Sequence, residues 1–331
     1  MSNITVPEIA AMLGEKQNIL ILSHINPDAD TLGSAFALKS ALQSASKTVN
    51  VACADQIPKR LRFICGMRDS LREDSYKGFT PDLICAVDAA EPSLLGEYGS
   101  RTTGFIDLKI DHHPGGSEYA RYNYIDGTAA ATGELIFAVI KALGEIGKGK
   151  LTQESATCLY AAIASDTGCF KYPNVTSKTM RIVADLIDAG AEHSDVSYRL
   201  FELKTVNEAV AERVMLNNLN LYRSGTMAVI TITNEMKAEN GLTDEDVGGL
   251  ASKLREIEGI QLAVSIRQSA DDSKSFKISM RSGASVSAAR LCGLFGGGGH
   301  EKAAGATITA DSPRDAEYKV TEAIQSVIGY V

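Results

Sequence analysis

Four short stretches gather acids and imidazoles: HINPDAD with His24, Asp28 and Asp30, VDAAEP with Asp88, DHHPGG with Asp111, His112 and His113, and SDTG with Asp166. Two carboxylates as close as Asp28 and Asp30 repel unless a cation lies between them. In an extended loop, positions two apart point to the same side, and His24 is near enough to share an ion with Asp28 across a turn. In the third stretch one ring can bind an ion while its neighbour faces a substrate, with Asp111 orienting a ring through its second nitrogen. Such a set suits hydrolysis at a pair of divalent cations. Each stretch alone also has an ordinary reading. Asp30 can cap a helix beginning at Thr31, and Asp88 and Asp166 can cap helices or tie loops. Their recurrence in one chain favours a common site.

A second kind of chemistry lies near the C-terminus. Gly296–Gly299 precede His300, and glycines allow backbone N–H groups to crowd against a phosphate or carboxylate. Arg281 and Ser282 end the stretch KISMRS, and a guanidinium fork pairs with phosphate oxygens. Gly297, Gly298, Gly299, His300, Arg281 and Ser282 are the expected substrate-binding set, with Arg267 a weaker candidate.

These residues need elements to hold them. NILILS (18–23) reads as a buried parallel strand, followed by helical spacing from Thr31 to Ala45. Apolar strands from Leu83 to Val87 and from Phe105 to Ile110 end on Asp88 and on the Asp111–His113 group. An apolar helix stops at Ser165 and presents Asp166 in a turn. Strands alternating with helices imply an α/β fold with a doubly wound, mostly parallel sheet, whose ligand crevice lies outside the carboxyl ends of the strands. Past Ser224, strand-like MAVITIT, QLAVSIRQ and KSFKISMRS alternate with helical stretches, which predicts a smaller α+β domain. The expected division is 1–192, a helical connector over 193–223, and 224–331.

Composition bounds the function. With 331 residues, 44% hydrophobic and 22% charged, the chain fits an ordinary two-domain globular protein. A formal charge of −8, which two divalent cations would halve, argues against coating long nucleic acid by bulk attraction. No apolar run approaches a membrane span, and the N-terminus lacks the pattern of an export signal. Cysteines 53, 65, 85, 158, 169 and 292 are scattered, so reduced thiols in a cytoplasmic protein are expected.

HINPDADTLGS, VDAAEP, DHHPGG and SDTGCFKY, in that order, resemble the four motifs of the DHH phosphoesterase superfamily. MRSGASVSAARLCGLFGGGGHEKAAGA resembles its DHH-associated domain, so the resemblance spans nearly the whole chain. It is similar to the branch that hydrolyses short oligoribonucleotides and removes the 3′-phosphate of 3′-phosphoadenosine 5′-phosphate. The resemblance implies two ions, usually manganese, with magnesium or cobalt as substitutes. His24 and Asp28 would hold one, Asp30, His112 and Asp166 the other, and Asp88 would bridge them. His113 would meet the scissile phosphate, with Asp111 behind it. Cys169 and Lys171 depart from residues common in the family, which bears on substrate preference alone. The resemblance also implies a homodimer acting on short oligonucleotides or small phosphorylated nucleotides, not on long duplexes or membranes. Alternatives are a phosphodiesterase for linear or cyclic dinucleotide signals and a non-catalytic nucleotide-binding regulator.

Overall fold

The computed structural model describes residues 2–64, 78–102 and 105–328, and the chain divides into two compact units, 1–203 and 204–331. In the first, the elements are β1 (Ser2–Asn3), α1 (Val6–Glu15), β2 (Asn18–Leu22), α2 (Ala29–Gln43), β3 (Thr48–Ala52), β4 (Leu83–Val87) and α3 (Glu97–Thr102). There follow β5 (Leu108–Asp111), β6 (Tyr122–Ile125), α4 (Thr132–Glu145), α5 (Gln153–Asp166), α6 (Ser177–Asp188) and α7 (His193–Ser197). The sheet has the order β1-β6-β5-β4-β2-β3, and every pairing in it is parallel.

Both faces of this sheet are covered, which is why β2 and β4 are continuous apolar runs rather than alternating ones. Ile19, Ile21, Cys85 and Val87 face a core shared with α1, α2, α4 and α5. Leu20, Leu22 and Ala86 face a smaller cluster with Leu95, Tyr98 and Ile106. α2 is rich in alanine, glycine and serine and is buried over most of its length, in close packing with α5. Beyond β2, the chain first adds β3 on one side and then returns to place β4 on the other. That reversal opens a crevice at the carboxyl ends of β2 and β4.

Three expectations shift by a few residues. α2 begins at Ala29, with Asp28 as its N-cap accepting from the N–H groups of Asp30 and Thr31, so Asp30 lies inside the first turn. β5 begins at Leu108 because Asp107 turns its carboxylate onto the Ile84 N–H, and Phe105 is exposed. Asp166 is the last residue of α5 itself.

The second unit contains α8 (Val206–Asn217), β7 (Asn220–Tyr222), β8 (Met227–Ile232), α9 (Asn234–Glu239), α10 (Leu250–Leu254) and β9 (Leu262–Gln268). β10 (Ser275–Ser282), α11 (Ala288–Gly293), β11 (Gly298–His300), β12 (Ala303–Thr309) and α12 (Pro313–Ile328) complete it. Its sheet, β11-β12-β10-β9-β8-β7, is antiparallel apart from the parallel β8–β9 pair. α11 and α12 pack on one face with Phe276, Ile278 and Met280. α8 and α10 cover Ile230, Ile232 and Ala263 on the other.

Among the described residues no helix is long and apolar enough to cross a membrane. Cys53, Cys85, Cys169 and Cys292 are free thiols, and Cys65 lies outside the described residues. Cys158, buried in α5, is disulfide-bonded, which departs from the expectation of reduced thiols throughout.

Candidate metal centre

The crevice at the ends of β2 and β4 is where the acids and imidazoles meet. His24 follows β2 by two residues, Asp88 immediately follows β4, and Asp111 closes β5. Asp28 and Asp30 enter from the head of α2, and Asp166 from the foot of α5. His24 Nε2 is 3.6 Å from Asp28 Oδ1 and 3.6 Å from Asp88 Oδ2. His112 Nε2 is 3.3 Å from Asp166 Oδ2, 3.7 Å from Asp88 Oδ1 and 3.8 Å from Asp30 Oδ2. The ligating atoms fall into three overlapping groups: His24, Asp28 and Asp88; Asp30, His112 and Asp166; and Asp88, His112 and His113. Asp88 is common to two groups and touches both imidazole-led sets.

Asp28 and Asp30 do not share one side of an extended loop. Because α2 starts between them, Asp28 stays near the surface with His24, whereas Asp30 is buried with His112 and Asp166. The spacing that suggested one shared ion instead feeds two separate groups.

The electrostatics of the cluster are unfavourable as it stands. Burial pushes the Asp30 carboxyl well above its ordinary pKa, and the charges of Asp88, Asp166 and Asp28 add to that. Burial and the charges of Asp88 and Asp28 likewise raise Asp166, against the opposing pull of His112. Burial alone would lower both imidazoles. The surrounding carboxylates overturn it, raising His24 to about 10 through Asp28 and Asp88 and His112 to about 9 through Asp166 and Asp88.

The donors fit divalent cations. His112 Nε2 is buried without a well-formed hydrogen bond among the described residues, while carboxylate oxygens of Asp166, Asp88 and Asp30 surround it at 3.3–3.8 Å. Atoms that each lie about 2.1 Å from one ion stand roughly 3–3.5 Å apart, near the His112–Asp166 spacing. Mixed imidazole and carboxylate donors without thiolate suit a hard or borderline divalent ion.

Several neighbours that fix this cluster carry no motif signal. The first turn of α4 points N–H groups at Asp30: Thr132 donates to Oδ2 at 2.7 Å and Gly133 to Oδ1 at 3.0 Å. Thr132 Oγ1 donates to Asp88 Oδ1 at 2.8 Å, and Ser34 Oγ to Asp30 Oδ1 at 3.2 Å. A helix N-terminus stabilises negative charge there. Asp88 itself has φ 56°, a strained conformation that for a non-glycine residue gathers at functional sites.

Behind the DHH stretch sits Lys109, which the sequence reading passed over. Its ammonium is 3.0 Å from Asp111 Oδ2 and donates to the carbonyls of Ala90 and Ser117, both at 3.0 Å. Asp111 Oδ1 in turn accepts from the His113 backbone N–H at 3.2 Å and lies 2.8 Å from His113 Nδ1. That hydrogen bond and Lys109 overcome burial and hold Asp111 below its ordinary pKa. Gly116 is required by the arrangement, since a Cβ there would come within 3.0 Å of the Lys109 ammonium and 2.9 Å of the Ala90 oxygen. His113, its Nδ1 committed to Asp111, is half exposed.

In the second unit, Arg281 and His300 both pair across strands with Ala303, Arg281 from β10 and His300 from β11. They therefore share one rung on one face. Ser282 turns the other way: it is buried, and its hydroxyl donates to the Glu301 carbonyl at 3.4 Å. The glycine run leads into β11, and a side chain at Gly297 would strike the Gly305 oxygen at 2.2 Å. Gly298 and Gly299 pair with Gly305 and Ala304, and both are exposed.

Comparison with known proteins follows the same division. The chain is 29% identical over 309 residues to the bifunctional oligoribonuclease and PAP phosphatase NrnA of Thermus thermophilus, covering 93% of this chain and 89% of that one. It is 27% identical to the Bacillus subtilis protein of the same name, covering 91% and 92%. A crystal structure of an exopolyphosphatase-related protein from Bacteroides fragilis superposes with a TM-score of 0.85 at 25% identity, covering 97% of this chain and 95% of that one. Residues 18–163 match the DHH family N-terminal domain and residues 224–331 the DHHA1 domain, so the chain belongs to the DHH phosphoesterase family.

Proposed function

We propose that this protein hydrolyses short oligoribonucleotides to mononucleotides and removes the 3′-phosphate of 3′-phosphoadenosine 5′-phosphate. The observation that carries the reading is Asp88, buried at the junction of two acid–imidazole groups in a chain similar over most of its length to two proteins named for those activities. His24, Asp28 and Asp88 would hold one divalent cation, and Asp30, His112, Asp166 and Asp88 a second, with manganese the first choice. When bound, such ions supply an activated water and offset charge on the phosphoryl group.

The chain's own residues supply the rest. The carboxylates fix geometry, and the α4 N-terminus orients Asp30 and favours its charged form against burial. His113, with Nδ1 held by Asp111, directs Nε2 toward the scissile phosphate or the leaving oxygen. In the second unit, Arg281, Gly297, Gly298, Gly299 and His300 hold the remainder of a short substrate, while Ser282, buried and turned the other way, supports the backbone at Glu301 instead. Residues 1–192 are the catalytic domain, 193–223 the connector and 224–331 the substrate domain. We place the protein in the cytoplasm as a homodimer.

A panel of initial rates with manganese tests the reading: short oligoribonucleotides, 3′-phosphoadenosine 5′-phosphate, linear and cyclic diadenylate, and pyrophosphate. The first two should turn over fastest. Cyclic diadenylate cleaved in preference to both would move the protein to signal hydrolysis, and no turnover of any, with ions bound, would overturn catalysis.

A further inference from the structure

We propose that the first unit carries a nucleoside pocket of its own, beside the acid–imidazole cluster. The proposal rests on the nucleotide-hydrolysing reading above and names the wall that takes the base. Asp28 and Ser165 are among the residues that line a cavity of about 670 Å³. Asp28 belongs to the group with His24 and Asp88, and Ser165 precedes Asp166, so a molecule in the cavity reaches the cluster. The volume is that of a small-molecule site.

The rest of the lining has a chemistry distinct from the cluster. Arg199, Leu200 and Phe201 come from the turn Tyr198–Glu202, which is π-helical. Such turns are rare and gather at functional sites. Phe201 is 37% exposed, an aromatic surface left partly uncovered against the cavity. Asn26, also in the lining, is held at φ 52° while its N–H donates to Asp55 Oδ2 at 2.8 Å. A non-glycine residue kept in that conformation signals a constrained loop.

Two cations complete the wall. Arg199 is fixed by donating Nε to Asp195 at 2.7 Å and by lying 5.5 Å over the Phe63 ring. Arg60 is exposed and forms no ion pair among the described residues. An aromatic surface, a guanidinium and an adjoining acid–imidazole cluster match a nucleoside carrying two phosphates. One ester lies at the cluster, the base stacks on Phe201, and the phosphate that is not cleaved pairs with Arg60. A phosphodiester without a nucleoside reaches the cluster and gains nothing from this wall.

Phe201→Ala, Phe201→Tyr and Arg60→Ala test this in the full-length, manganese-loaded protein. For each, kcat/KM is measured on 3′-phosphoadenosine 5′-phosphate, a diribonucleotide and bis(p-nitrophenyl) phosphate, and adenosine monophosphate binding is measured by calorimetry. Stacking is worth about 1–3 kcal/mol per base. Accordingly Phe201→Ala should cut the ratio of nucleotide to generic-ester kcat/KM at least about fivefold, through KM, with Phe201→Tyr restoring it. Arg60→Ala should cut the same ratio through the lost phosphate contact. Both alanine variants should also weaken adenosine monophosphate. An unchanged ratio with unchanged binding overturns the pocket while leaving the functional reading intact. Wild-type protein that cleaves the generic ester but no nucleotide overturns the functional reading. The pocket then stands or falls on whether the alanine variants lose adenosine monophosphate binding.

Discussion

Lys109 and Asp111 form a 3.0 Å ion pair in which both side chains are fully buried. Such pairs rarely stabilise a fold, because desolvating two charges costs about as much as their attraction returns, whereas removing one partner strands the other. Lys109→Met should therefore destabilise the protein by about 3–5 kcal/mol. Lys109→Met with Asp111→Asn should fold within roughly 1–2 kcal/mol of the parent. The double variant should nevertheless lose about 10–100-fold in kcat, since the carboxylate that orients the His113 ring becomes a neutral amide. Thermal unfolding beside kcat separates the two effects. A double variant with parental kcat would show that the pair serves packing alone.

Asp88 offers a sharper test. Asp88→Ala should leave the fold intact and reduce turnover at least about a hundredfold. In the parent, manganese at a hundred times its dissociation constant should add about 2.7 kcal/mol of stability. Chelation should remove that gain, and Asp88→Ala should show little of it. An equal manganese-induced rise in Tm in both proteins would show that Asp88 does not hold the ion.

On the other unit, Arg281→Ala should raise KM for a diribonucleotide more than for bis(p-nitrophenyl) phosphate, by about tenfold in the ratio. Equal losses on both esters would assign Arg281 to folding or to the reacting centre.

Asp244 gives a pH signature away from either site. Its carboxylate pairs with the buried Lys237 ammonium, which holds its pKa below 3.8. A depressed carboxyl stabilises the fold above its unfolded pKa and loses that contribution as pH falls through the folded value. Asp244→Asn should thus cost stability at pH 7 and converge with the parent as the medium is acidified below 3.8. The carboxylate is about half in water, so screening limits the cost to about 1 kcal/mol or less. Denaturant unfolding across that range measures it.

The sequence made the ligands visible because each stands at the end of an apolar strand or helix, where a polar group is conspicuous. Lys109 was invisible for the opposite reason. A lysine inside LKID reads as a solvated strand position, and its burial depends on carbonyls from two loops, 19 and 8 residues away. Thr132 and Gly133 act through backbone N–H groups, which leave no trace in residue type. Arg60, Arg199 and Phe201 share no motif and are brought to one cavity by tertiary folding. The separate destinations of Asp28 and Asp30 turn on a helix boundary, the least legible feature of any sequence.

The strand order β1-β6-β5-β4-β2-β3 has a consequence for the protein's synthesis. His24 gains its central neighbour when β4 and Asp88 have been made, and the buried group closes when α5 delivers Asp166. A nascent chain shorter than that owns isolated acids and imidazoles but not the closed cluster. The cluster is therefore completed in one step near the middle of the chain, and translation products that end before Asp166 lack it.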